Sequence, residues 1–268
     1  MEMIAASRIV KATRRVAEAR PYAEQIHEVI KGLAVSNQVA DHPLIAPHAS
    51  VDNVGLLVIT ADRGLAGAYN ANVLKLAEKT IREEEAAGRR VHLYLVGRKG
   101  GGYFRYRGRR AARAWEGFTD APRIHDAQEV ASAIMDAYGE GTLDRVWLVY
   151  TDFRSTLTQV PGRSVLLPVD PTEFEGGSQI APEFVFEPSP AAILTRLVPR
   201  YVEAKIFSGL LESSASEHAS RQRAMKSATD NAQDVIDTLS RVMNQARQEQ
   251  ITTEISEIVG GSEALSSK

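Results

Sequence analysis

MEMIAASRIVKATRRVAEARPYAEQIHEVIKGLAV, residues 1–35, is the stretch on which the fold turns. Ala5, Ile9, Ala12, Val16, Ala19, Ala23, Ile26, Ile30 and Leu33 recur at alternating intervals of four and three, the spacing that lays one narrow apolar seam along a long helix and calls for a partner helix. The front of the seam is mostly alanine, so the partner is expected to come close while burying less area per turn than a leucine seam would. Pro21 lies inside the pattern; it removes one amide donor and predicts a kink there, or a helix broken at Arg20.

A second seam at the other chain end has the same period. Between Ala191 and Val259 the only proline is Pro199 and the only glycine is Gly209, which marks helical territory. Ala228, Ala232, Val235, Leu239, Val242 and Ala246 again alternate four and three. Two such helices, one from each end, pair antiparallel only if the middle of the chain is looped out between them.

That middle carries a different pattern. VGLLVIT (Val54–Thr60), a helical stretch from Ala71 to Ala87, VHLYLVG (Val91–Gly97), a second helix around Ala127–Tyr138 and RVWLVYT (Arg145–Thr151) read as the strand–helix–strand units of a parallel sheet. SVLLPV (Ser164–Val169) reads as an edge strand, because Pro168 cannot donate to a ladder. The aperiodic GRKGGGYFRYRGRR, Gly97–Arg110, is expected to be a loop. The expected fold is α/β: a long antiparallel two-helix coiled coil from the two chain ends with an inserted Rossmann-like parallel-sheet domain. Its parts are residues 1–50, 51–190 and 191–268.

Composition narrows the function. The formal net charge of -2 gives no global basic field for nucleic acid, and the absence of cysteine excludes disulfides, thiolate nucleophiles and Cys-ligated metals. No apolar run approaches the roughly 20 residues of a spanning helix. Helices this long cannot be covered by the middle domain, so much of their surface is left for solvent or another chain. Arg8, Lys11, Arg14 and Arg15 at the front, with Arg221, Arg223, Lys226, Arg241 and Arg247 at the back, suit a partner with acidic loops.

Asp62, Arg63, Gly64, Gly67 and Asn70 follow the first strand, where open α/β sheets place ligands. Neither GxGxxG nor a GK[ST] ending is present, so the glycines read as a sharp turn and Asn70 as a helix cap. Gly97–Gly102 with Arg98 and Lys99 reads as an anion loop or an exposed connection, and Tyr103, Phe104, Tyr106 and Trp115 beside Arg105, Arg107, Arg109 and Arg110 read as a protein-docking or packing element rather than a base-stacking one. His27, His42, His48, His92, His125 and His218 lie far apart, without metal-ligand spacing. Asp152 and Arg154 read as a salt bridge or turn cap. In NQARQEQITTEISEIVGG, residues 244–261, polar groups on successive turns share a helix with Ile251, Ile255, Ile258 and Val259, as in a helix packed inside a sleeve; Gly260 and Gly261 are expected to end it.

Taken in order, MEMIAASRIVKA (1–12), TADRGLAGAYNAN (60–72), VGRKG (96–100), VPRYVEAKIFSGLLESSASEHASRQRAMKSATDNA (198–232) and ARQEQITTEISEIVGG (246–261) resemble the gamma subunit of bacterial F-type ATP synthases over almost the whole chain. Two departures stand out: Ala66 occupies a position where the family usually has cysteine, and the family's basic segment before the MEM motif is expected to be missing, which would make Met1 an internal methionine. The resemblance implies a rotor shaft with no catalytic residue, cofactor or metal of its own. Its partners would be three alpha and three beta subunits, epsilon and the c-ring, with no nucleic acid. It would lie peripherally on the cytoplasmic side of the cell inner membrane. The same resemblance implies that Arg221, Arg247, Gln248, Thr252 and Glu254 face the alpha3beta3 ring and that Glu187 lies on the c-ring and epsilon side. The competing readings are a Rossmann-like enzyme with helical oligomerisation arms and a free-standing scaffold.

Overall fold

The computed structural model describes residues 2–34, 42–48, 50–170 and 190–266. The elements in chain order are α1 (Glu2–Ala34), β1 (Asn53–Ile59), α2 (Tyr69–Ala86), β2 (Arg90–Val96), α3 (Arg98–Tyr106), β3 (Ala111–Trp115), α4 (Ile124–Gly139), β4 (Arg145–Phe153), β5 (Gln159–Leu167) and α5 (Pro190–Ser266). Contacts group them into two compact units, Met1–Arg223 and Ala224–Lys268.

The first unit is built on a five-stranded sheet of order β3-β2-β1-β4-β5. β1 to β4 run parallel, while β5 pairs antiparallel with β4 at the edge. β1 is central and buried along nearly its whole length, as its unbroken apolar run requires when both faces of a parallel sheet are covered. The period of two then divides the side chains. Leu56 and Val58 join Leu93, Leu95 and Val149 beneath Val73, Ala77 and Ile81 of α2 and Phe104 of α3. Leu57 and Ile59 face the other way with Val96 and Leu148, under α4, α1 and the front of α5.

The N-terminal seam is buried at its two ends, at Ala5, Ile9, Ala12, Ile26 and Ile30, while Val16, Ala19 and Ala23 between them are half-buried. Its partner is the front of α5. His27 lies 6.3 Å from Tyr201 between ring centroids, Val16, Arg20 and Ala23 share a recess with Ala204, Ser208 and Glu212, and Arg8 and Ala12 share another with Leu211, Ser214 and His218. Rising numbers on α1 thus meet falling numbers on α5, so the pair is antiparallel. This register sets the described residues of α1 opposite α5 residues before Arg223. In the second unit, Val235, Leu239 and Val242 of the 228–246 seam are exposed.

Four local expectations are corrected. α1 continues through Pro21 without ending at Arg20; seam residues such as Ile9 before it and Ile26 and Ile30 after it are buried, each isoleucine contributing roughly 1.5–3 kcal/mol against a proline cost of about 3. The stretch Gly97–Arg110 is not a loop but contains α3, followed at once by β3. Its helix buries Gly100 and Phe104, a tertiary gain that overrides the low helix propensity of three consecutive glycines. Asn70 is not a cap: it lies inside α2, and its side-chain oxygen accepts the Ala61 amide at 2.9 Å. Gly260 and Gly261 do not end α5, since glycine weakens a helix by about 1 kcal/mol without removing a donor.

Candidate functional site: a self-filled crevice, a polar hub and an exposed helix

The crevice at the carboxyl ends of the strands is where a doubly wound fold would hold a phosphate, and here the chain fills it with its own carboxylate. Asp62, just after β1, accepts the Arg98 amide at the start of α3 on Oδ1 at 3.1 Å. Its Oδ2 accepts the amides of Gly117 at 2.8 Å and Thr119 at 3.2 Å and the Thr119 hydroxyl at 3.0 Å. Amides of the segments that follow β2 and β3 are thus held by an internal anion. Thr60 completes the closure, donating to the Val96 carbonyl at 2.8 Å and accepting the Gly100 amide at 2.9 Å.

Two glycines of the GRKGGG run are explained by this closure rather than by a ligand. Gly97 has φ 93°, and a Cβ there would sit 2.3 Å from the Thr60 carbonyl oxygen; at Gly100 it would sit 2.8 Å from Thr60 Oγ1. After β1, the backbone turns at Leu65 and Gly67, both with positive φ. Gly64, by contrast, lacks that conformation. Ala66 is buried with Ala61 and Tyr69.

Next to the crevice, Asp120 ties three elements together. Arg8 of α1 donates to its Oδ2 at 2.5 Å, with Arg63 at 3.7 Å. Two α5 residues, Ser214 and His218, reach its backbone carbonyl at 3.2 and 3.1 Å. His218 donates from Nε2, which leaves Nδ1 free to accept from Arg221 Nη1 at 3.4 Å; both bonds suit the neutral imidazole. Burial holds His218 below the ordinary histidine pKa, and the Arg221 charge acts in the same direction, while Asp120 opposes it. Asp120 Oδ1 is buried without a hydrogen-bond partner among the described residues, 3.8 Å from His218 Nε2.

Arg221 belongs to this hub. Its side chain is 11% exposed and donates to Glu217 one turn earlier and to the Gly64 carbonyl at 3.3 Å. Burial raises the Glu217 pKa, with the Arg221 hydrogen bond and charge pulling the other way. The Tyr69 phenol is pushed up by burial and then by the Glu217 charge. Two further α5 hydroxyls stitch β4 to the helix: the Thr151 amide donates to Ser213 Oγ at 3.3 Å, and Ser216 donates to the Thr151 carbonyl at 3.4 Å.

The remaining residues singled out from the sequence are not drawn to this hub. Arg247, Gln248, Thr252 and Glu254 lie exposed on α5 in the second unit. Thr252 donates back to the Gln248 carbonyl at 2.9 Å and Gln250 donates to Glu254 at 3.1 Å, so two of these groups are oriented along the helix. Glu187 lies outside the described residues. Asp152 and Arg154 form a salt bridge at 3.0 Å. His48 is held by Asp144 at 3.0 Å.

Sequence reasoning missed Thr119, Asp120, Glu217 and His218. The signal was SSASEHASR, 213–221: a polar run that reads as a solvated face but sits where α5 is buried nearly all round, from Ser213 to Ala219.

Residues 1–265 match the ATP synthase family. The chain is 47% identical over 275 residues to the ATP synthase gamma chain of Frankia casuarinae, an alignment covering 100% of this chain and 91% of that one. It is 48% identical over 275 residues to the ATP synthase gamma chain of a Parafrankia species, with the same coverage. Among solved structures it is similar to a chain of the central stalk and c-ring of the Tetrahymena thermophila mitochondrial ATP synthase. That likeness has TM-score 0.65 and 25% identity, over 85% of this chain and 97% of that one.

Proposed function

The chain belongs to the gamma-chain family of ATP synthases, and from that premise we propose that it is the central-stalk rotor of a bacterial F-type enzyme, carrying torque between a proton-driven c-ring and a catalytic alpha3beta3 ring. The observation that carries this reading is in α5. Residues 226–262 are exposed throughout and present Val235, Leu239, Val242, Met243, Ile251, Ile255 and Ile258 to solvent. A run of branched apolar side chains on a helix with no cover of its own fits a sleeve of other subunits.

On this reading the chain performs no catalysis; the Asp62 carboxylate serves to tie together the segments that follow β1, β2 and β3. The work is mechanical and divides among three parts. Residues 1–50 and the front of 191–268 form the stiff pair, and residues 51–190 form the domain that meets epsilon and the c-ring. The back of α5 engages alpha and beta subunits through Arg247, Gln248, Thr252 and Glu254. Glu187 is assigned to the c-ring and epsilon side. Arg221 was grouped with the ring contacts; its buried pairing with Glu217 supports a role in holding the shaft to the domain. Two paired helices resist bending and twist better than one, and polar contacts that engage at one angle and release at another bias a beta subunit between states.

Among the described residues no helix is long and apolar enough to cross a membrane. On the rotor reading, the chain serves the cell inner membrane peripherally, from its cytoplasmic side. Native mass of the purified complex tests the proposal: one copy with three alpha and three beta chains is expected, and a lone monomer or homodimer overturns it.

A further inference from the structure

The turn between α3 and β3 was singled out by its arginines and aromatics, and the rotor reading does not use it. Gly108, with φ 71°, folds the turn back so that the Arg109 amide reaches the Phe104 carbonyl at 2.9 Å. Arg107 is fixed between Glu78 of α2, at 3.1 Å, and the face of Tyr103, 5.2 Å from its centroid. Arg109 grips Glu85 through both guanidinium nitrogens, at 2.6 and 2.9 Å. Between α2 and this turn lies a recess of about 280 Å³ walled by Arg82, Arg107, Arg109 and Glu78, with Ile81 also lining it.

The local charges do not balance. Glu78 and Glu85 each have an arginine already, while Arg82, Arg105 and Arg110 are exposed and form no salt bridge among the described residues. Each has an ordinary explanation: Arg105 meets the carbonyl end of α3, Arg110 guards the edge strand β3, and Arg82 is solvated. None of these explains Tyr106. It stands between Arg105 and Arg107 at 92% exposure, the most exposed large apolar or aromatic side chain among the described residues.

We propose that this turn is a docking surface for an acidic segment of a partner protein. Carboxylates of that segment would pair with Arg82, Arg105 and Arg110, and its chain would pack on Tyr106. Arginine and tyrosine carry a disproportionate share of binding energy at protein interfaces, and planar guanidinium groups suit carboxylates. An anionic membrane is the weaker match, because basic clusters that hold lipid headgroups run to about 4–8 cations, and only three are free here. The pre-set Arg107 and Arg109 pairs keep the turn rigid, so little ordering would be lost on binding. The inference rests on the reading that the chain works inside a multi-subunit complex.

The test incorporates p-benzoylphenylalanine at Tyr106 and irradiates the purified, assembled complex. An adduct is expected on a segment bearing at least two Asp or Glu residues, and Arg105→Gln with Arg110→Gln should lower its yield at least five-fold. An assembled complex that gives no adduct overturns the surface, as does an adduct on a segment lacking acids or one indifferent to the arginine changes. Arginine-dependent sedimentation with vesicles containing 30% phosphatidylglycerol, in place of the adduct, would make it a membrane contact and also overturn the proposal. Failure of the chain to join alpha and beta subunits at all removes the rotor reading, and this inference with it.

Discussion

Residues 192–223 and 224–262 lie on one helix, α5, and they invert the usual rule of burial. In the first stretch Ser213, Ser214, Ser216, Glu217 and His218 are buried; in the second, Val235, Leu239, Val242, Ile255 and Ile258 are exposed. Side-chain polarity alone decides neither case. The buried serines and histidine are accommodated because β4 and the loop holding Asp120 supply hydrogen-bond partners, and a satisfied polar group costs little inside. The exposed valines and isoleucines persist on a surface that no described part of the chain covers. A polar lock thus holds the first stretch to the domain, while the second keeps its apolar face for the proposed ring of subunits.

The sharpest way to break this contrast is at glycine. Gly97→Ala forces a Cβ to 2.3 Å from a backbone oxygen at φ 93° and is expected to cost on the order of 4 kcal/mol. Gly261→Ala, in the exposed last turns of α5, should gain at most about 1 kcal/mol of helix stability. Urea unfolding of the first variant and helicity of the second by circular dichroism check both; a tolerated Gly97→Ala would mean that the Thr60 closure is loose.

Arginine gives the next test. Arg221→Ala strands Glu217, which is 1% exposed, and should destabilise the first unit by about 3 kcal/mol. Adding Glu217→Gln should restore part of that loss. Arg247→Ala with Gln248→Ala should leave the melting temperature unchanged and instead reduce ATP-driven proton pumping several-fold in the reconstituted complex. Full pumping with normal hydrolysis would remove both residues from the coupling path.

Isoleucine compares the two stretches at equal chemistry. Ile30→Ala, at a fully buried seam position, is expected to cost about 2–4 kcal/mol. Ile255→Ala, more than half exposed, should stay within about 0.5 kcal/mol in the isolated chain. It should cost more only when the partners are present, which thermal melts with and without the other subunits would reveal.

The smallest effect is in pH. His218 is kept neutral by burial, among Arg8, Asp120, Glu217 and Arg221, so its folded pKa lies below 6.5. Below that value the unfolded chain takes up a proton that the folded chain refuses, and stability falls as pH drops towards the folded pKa, by at most about 1.4 kcal/mol per pH unit. Glu217 acts in the opposite sense: its raised folded pKa makes acidification favour the fold between 4.5 and that value. Denaturation midpoints should therefore decline from pH 7.5 to 5.5 in the natural chain and less steeply in His218→Gln. Equal slopes would show that the imidazole does not titrate in this window.

Much of the architecture could be read in advance because period is a local property. The four-three spacing of Ala5 to Ile30 and the apolar run of β1 each declare a face to be buried; β1 is buried from Val54 on, and the seam at both its ends. That the front of α5 lies along α1 was not readable, because the pairing depends on contacts such as His27 with Tyr201 that join distant parts of the chain. α3 and β3 were hidden for a related reason: GRKGGGYFRYRGRR has no period, and its helix forms because Gly97 and Gly100 let it settle against Thr60.

The candidate site divides along the same line. Arg247, Gln248, Thr252 and Glu254 could be singled out from the chain because they are exposed and belong to a recognisable run of residues. The hub as a unit could not: Asp62 and Arg221 stood out singly, but their joining with Asp120, Glu217 and His218 brings together three separated segments. The order of residues settled the N-terminal seam's ends, the strand run and the family, all of which depend on near neighbours. Three-dimensional packing settled which helix stretch meets α1, which carboxylate fills the crevice and which arginine is buried, because those outcomes depend on groups brought within a few ångströms from distant parts of the chain.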